Sequence, residues 1–171
     1  MKNIIWLLLI ALAVFISSCS KHSKLEELRQ FPVDDLEGIV ARVGVSLDPD
    51  TSADGNGSLR IDVGDTTTVP LYELKNMELE NAKVVYRAKV KTENVIGRAY
   101  LEMVCGLMGE EEYFSRGLQY ALTGTTDWTI LETPFAFETG QMSSYFKLNL
   151  VIEGSGTVWV DDIRLLKGTI K

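Results

Sequence analysis

The chain has 171 residues, 17 of them Lys or Arg against 24 Asp or Glu, and a formal net charge of -7. An acidic chain without a basic cluster is excluded as a nucleic-acid binder and as a protein held to anionic lipid by charge alone. Its one histidine, His22, lies ahead of the expected folded domain, which excludes Ser-His-Asp, Cys-His and histidine-metal chemistry there.

Lys2 followed by thirteen uninterrupted apolar residues, 4–16, has the layout of a secretion signal. About twenty apolar residues are needed to span a bilayer, so this stretch is too short for a transmembrane helix. The next residues, Ile16-Ser17-Ser18-Cys19, resemble the lipobox of bacterial lipoproteins at every position. That resemblance implies cleavage after residue 18 and acyl chains on Cys19, and about two chains suffice for lasting attachment. By the same resemblance, Ser20 and Lys21 lack the aspartate of inner-membrane retention, which points to the outer membrane.

The segments that follow are a lipidated tether over 19–30, with a helix-compatible stretch at 24–29, and a single domain over 31–171. Lipidation uses one of the two cysteines, leaving Cys105 no partner and excluding a disulfide framework. Cys105 shares parity with Ala99, Leu101 and Met103, so it reads as a small buried hydrophobe.

Beyond Pro32 the apolar pattern has period two. Val84, Tyr86, Ala88 and Val90 alternate with Arg87, Lys89 and Lys91; residues 59–63 and 146–152 alternate likewise. Further strands are expected near 38–45, 67–74, 98–105, 112–122, 128–137 and 157–167. Asp54-Gly55-Asn56-Gly57 and Glu153-Gly154-Ser155-Gly156 read as turns between strands. Eight or nine short antiparallel strands with Gly-rich connections define an all-β sandwich of jelly-roll type.

Two segments carry a family likeness: residues 54–61, and Gly156-Thr157-Val158-Trp159-Val160-Asp161-Asp162-Ile163-Arg164-Leu165. They resemble the opening and closing strands of galactose-binding-like jelly rolls, among them many carbohydrate-binding modules. Asp127-Trp128-Thr129 followed by Phe135-Ala136-Phe137 is similar to the penultimate region of that family. The resemblance spans about residues 38–167 and implies a jelly-roll fold, core packing for Trp128 and Trp159, and carbohydrate as the leading ligand class. Function does not follow from fold alone.

A sugar-binding sheet face needs flat rings to stack on pyranose C–H surfaces and planar polar groups to bond hydroxyls. Arg87, Tyr100, Glu102, Gln119 and Asn149 sit on the wet parity of their strands and would line such a face if those strands are neighbours. They equally suit an ordinary solvated surface. Phe114, Phe135, Phe137 and Phe146 read as core, and Tyr113, Tyr120 and Tyr145 are open.

Asp50-x-Ser52-x-Asp54-Gly55 copies the first half of an EF-hand loop, but Ile61 stands where the bidentate glutamate is required. The family resemblance implies instead a structural calcium near Asp54 and Asp161 or Asp162; a turn rich in Asp and Gly is the alternative. Glu110, Glu111 and Glu112 read as an exposed loop without the buried setting that raises an acid's pKa. The expected role is therefore binding and not catalysis, with a glycan or an envelope protein as partner.

Overall fold

The structure is a computed structural model describing residues 25–109 and 111–170, so the leader and Cys19 lie outside the described residues. Eight strands make up the fold: β1 Glu26–Phe31, β2 Val45–Asp48, β3 Ser58–Val63, β4 Thr67–Lys75, β5 Ala82–Leu107, β6 Glu112–Arg116, β7 Leu122–Phe137 and β8 Ser143–Gly168. Every pairing is antiparallel, as the period-two reading requires.

Two strands of 26 residues each, β5 and β8, run side by side through the whole molecule and belong to both layers of a sandwich. In the first layer the opening half of β5 lies between β7 and the closing half of β8, and β8 is flanked in turn by β1 and β3, with β2 outside β3. In the second layer the closing half of β5 pairs with β6 and with the opening half of β8, whose far side carries β4.

The two layers join at a corner where Gly97 and Gly154 stand opposite each other. The register slips between Glu93 and Ile96, and Asn94, Gly97, Gly154 and Gly156 all have positive φ. A Cβ on Gly97 would overlap the Glu153 carbonyl oxygen, and one on Gly154 would overlap that of Ile96. Glycine is therefore required for this close backbone approach. The segment 153–156, which has the composition of a hairpin turn, is thus a bend within one continuous strand. Local sequence marks the glycines but does not say whether the chain reverses or only changes layer.

The core between the layers comes from the expected parities. Val84, Tyr86, Ala88, Val90, Val158 and Val160 of the first layer face Leu101, Met103, Cys105, Phe146, Leu148 and Leu150 of the second, and none of these exposes any surface. Burial pushes the Cys105 thiol pKa up to about 12, as expected for an inert core residue. Each large apolar side chain removed from water contributes on the order of 2 kcal/mol, which makes this interior the main source of stability.

Three local expectations differ from what is found. The stretch foreseen as helix-compatible tether is β1, paired with β8 through a bulge between Glu27 and Arg29. Leu25, Leu28 and Phe31, spaced by threes, mimic helical periodicity, and the bulge shifts parity so that Leu28 and Phe31 both pack on the core. Around 38–45 only Val45–Asp48 is strand; before it, the Val40 and Ala41 amides donate to the Leu71 and Pro70 carbonyls. The expected 112–122 strand stops at Arg116 and gives way to a one-turn 3-10 helix, Leu118–Tyr120.

Candidate binding face

The outer surface of the second layer is ordered by strand register. Because directly opposed residues share a face, Asn149 of β8, Glu102 of β5 and Arg116 of β6 form one row across three strands. Lys147, Val104 and Phe114 form the next row, and Tyr145, Gly106 and Glu112 the one after. On the other side of the Glu102 row stand Tyr100 and Val151.

At the centre of this surface Glu102 is only 6 % exposed although it points away from the core. Arg116 donates to one of its oxygens from Nε at 2.7 Å, and Asn149 to the other from Nδ2 at 3.2 Å. A carboxylate taken out of water is costly unless its lone pairs are met by donors, and here both neighbouring strands supply one. The Arg116 side chain remains half exposed and lies over the Phe114 ring at 5.6 Å, while Phe114 itself is 54 % exposed. A planar cation stacked on an aromatic face is held in one orientation.

Two more polar groups border this centre. Tyr145 packs against the bare backbone of Gly106, where a Cβ would collide with its ring, and its hydroxyl donates to Glu112. Lys147 donates to the same carboxylate at 2.8 Å, so the ammonium and then the Tyr145 hydroxyl hold the Glu112 pKa below its ordinary value. At the other border Glu153 accepts from Arg98 at 2.6 Å and from the Tyr100 hydroxyl at 3.0 Å, and the Arg98 bond lowers its pKa. Burial, followed by the bond to Glu153, raises that of Tyr100.

Of the five residues expected to share a face, Tyr100, Glu102 and Asn149 come together. Arg87 lies on the outer surface of the first layer, ion-paired with Glu132 of β7. Gln119 sits on the exposed 3-10 turn, off the strands. Tyr100 is only 4 % exposed and lies beneath Arg98, so the accessible rings on this face are Phe114 and the half-buried Tyr145. The expectation of Phe114 as core is corrected: it opposes Val104 on the outer side of an edge strand. Tyr145 was left open and Arg116 and Lys147 were not singled out, and alternation within β6 gave no sign of which parity met the Glu102 row.

The first layer's outer surface is closed differently. Trp159 is buried there, not between the layers; its Nε1 donates to Asp48 at 2.8 Å and the Arg60 guanidinium covers its ring at 5.4 Å. Trp128 is half-buried on β7 and does not join the core.

Asp161, fully buried, accepts from the Ala53 amide at 2.7 Å and the Asp162 amide at 2.6 Å, which pins the 48–57 loop to β8. Asp54 accepts from the Asn56 amide and the Ser52 hydroxyl, while Asp162 pairs with Arg164 and Lys89. Among the described residues no three His, Cys, Asp or Glu side chains gather in a set able to hold a metal. The oxygens of Asp54, Asp161 and Asp162 serve amide, hydroxyl and cationic donors in this arrangement.

No protein-family model matches the sequence, and no curated protein does. Solved structures do share the fold. A xylan-binding domain of family 22 from Paenibacillus barcinonensis Xyn10C matches 87 % of this chain and 97 % of its own, at 16 % identity and a TM-score of 0.59. The C-terminal family 22 carbohydrate-binding module of Clostridium thermocellum Xyn10B matches 85 % of this chain and 96 % of its own, at 12 % identity and a TM-score of 0.55. A family 16 carbohydrate-binding module gives 71 % and 84 %, at 16 % identity and 0.51. The class defined by fold is therefore the antiparallel β-sandwich shared by these modules.

Proposed function

We propose that this domain is a non-catalytic carbohydrate-binding module whose ligand lies across the outer face of the second layer. The observation that carries the reading is Glu102, a buried carboxylate gripped by Asn149 and Arg116 from the two adjacent strands beside the exposed Phe114 ring. A row of planar polar groups at fixed spacing next to a flat apolar surface suits a polysaccharide, which offers alternating hydroxyl edges and C–H faces. Similarity of fold to modules described as xylan-binding makes xylan the first polymer to try. The same proposal places the domain in the cell envelope, tethered to the outer membrane through acylated Cys19, on the strength of the lipobox resemblance.

Electrophoresis of the detergent-solubilised protein through gels containing soluble polysaccharides tests the binding claim. Retardation by xylan or another glycan that Glu102→Ala abolishes and Phe114→Ala weakens is the expected result. A panel of plant and bacterial glycans that leaves mobility unchanged removes the sugar reading. Incorporation of labelled palmitate, lost in Cys19→Ser, checks the anchor, and an unlabelled protein overturns it.

A further inference from the structure

Away from that face, the residues that follow β1 enclose a groove of about 460 Å³ against β4. Its floor is aromatic: the Phe31 and Tyr72 rings stack with centroids 3.8 Å apart and planes inclined by 16°. Gly38 closes on the edge of that stack, at positive φ, where a Cβ would come within 3.2 Å of Tyr72 Cε1.

The rim has one sign of charge. Asp34, Asp35, Glu37 and Glu73 line it, and no Lys or Arg does. Lys75 reaches Glu73 at 3.5 Å, but Asp34, Asp35 and Glu37 have no ion-pair partner among the described residues. Tyr72 is 6 % exposed, and among the described residues its hydroxyl has no hydrogen-bond partner although the residue lines the groove. Burial and the neighbouring Asp35 keep that hydroxyl protonated, with its pKa pushed up to about 12. The Tyr86 hydroxyl, fully buried and within the electrostatic reach of Tyr72, is also unpartnered.

We propose that this groove docks a basic peptide segment of a protein partner, with one arginine side chain laid on the Phe31–Tyr72 stack and its guanidinium among Asp34, Asp35 and Glu37. Charge complementarity selects a cation, and the flat floor selects a planar one. A guanidinium stacks on aromatic faces, forks onto carboxylates and is less strongly hydrated than an ammonium. Its remaining N–H groups find an acceptor in the idle Tyr72 hydroxyl. A neutral sugar would leave Asp34, Asp35 and Glu37 on the rim without a counter-charge. This site is separate from the Glu102 face and stands or falls independently of it.

The test is fluorescence anisotropy of the full-length protein in nonionic detergent with a labelled peptide of four arginines spaced by Gly-Ser. The groove variant carries Asp34→Asn, Asp35→Asn and Glu37→Gln, and a control carries Glu78→Gln, Glu93→Gln and Glu138→Gln, three exposed carboxylates outside the groove. The groove variant is expected to weaken binding about tenfold, and the control by less than about twofold. Phe31→Leu, which keeps the charges, is expected to cost about threefold, and lysine in place of arginine about the same. Equal loss in both triple variants would show attraction to net charge alone and overturn the proposal, as would absence of binding to the unaltered protein. Circular dichroism on each variant separates loss of docking from loss of fold, and Asn and Gln preserve side-chain shape at every altered site.

Discussion

The outer faces of the two layers draw on the same residue types, an aromatic ring, an acid and an arginine on the wet parity of neighbouring strands, and finish them in opposite ways. On the first layer the group is tied down: the Ala53 amide of segment 48–57 donates to Asp161, the Trp159 indole donates to Asp48 at the start of that segment, and Trp159 is buried with Arg60 over its ring. On the second layer Glu102 is desolvated by its own strand neighbours, which leaves the Arg116 side chain half exposed and Phe114 open. A polar or aromatic residue on the wet parity is therefore no sign of a ligand site by itself. Whether the group is tied down there decides between a structural clamp and a recognition surface.

The comparison is most easily broken by exchanging the expected outcomes of two alanine substitutions. Trp159→Ala removes a fully packed ring and is expected to cost about 3 kcal/mol in urea unfolding while glycan retention by the folded fraction is unchanged. Glu102→Ala is expected to abolish retention and to cost only about 1 kcal/mol, since the exposed Arg116 it frees returns to water. If Trp159→Ala abolished binding with stability intact, the two faces would have been assigned the wrong way round.

A smaller effect sharpens the second face. Phe114→Ala is expected to weaken polysaccharide binding about tenfold, the loss of one stacking contact, with stability changed by less than about 0.5 kcal/mol. Arg87→Ala, on the opposite layer, should leave affinity where it was, and isothermal titration of both variants reads the difference.

Acid distinguishes the clamp from the open face. The Trp159 indole N–H, bonded to Asp48, holds that carboxyl below the usual carboxylate range. A carboxyl with a depressed folded pKa contributes stability that is present above the unfolded value and lost as pH falls through the folded one. Emission from Trp159, in the processed protein carrying Trp128→Phe, is accordingly expected to hold steady through the ordinary carboxylate range and to shift to the red only in more acidic solution. A shift centred near neutrality would mean that another group controls the loop. The smallest effect concerns metal: with Asp161 already accepting two amide N–H groups, neither calcium nor chelator is expected to move the melting temperature. A rise on adding calcium would show that Asp161 exchanges those bonds for the ion.

The candidate site was partly readable before folding. Tyr100, Glu102 and Asn149 were placed on the wet side of two strands by alternation, and those strands are neighbours. Arg87 obeys the same alternation equally well but belongs to the other layer, because β5 turns a corner at Gly97 between Arg87 and Tyr100. Phe114 was read as core and Arg116 was passed over because β6 is an edge strand of five residues, whose parity has meaning only once it is paired with β5. The acidic groove has no linear signature, since Phe31 and Tyr72 meet only because β1 and β4 flank β8 in different layers.

What the chain determined alone is what depends on residues close together in it: strands, from alternation of side chains about an extended backbone; the inward face of each, from the apolar parity; and buried Cys105, from its place in that parity. Only the tertiary structure decided which halves of β5 and β8 share a layer, where segment 48–57 is tied to β8, and which outer face stays open. Those outcomes depend on register between residues some fifty to a hundred positions apart, such as Glu102 with Asn149 and Asp48 with Trp159. Alternation fixes the side to which a residue points and carries no information about what stands opposite it.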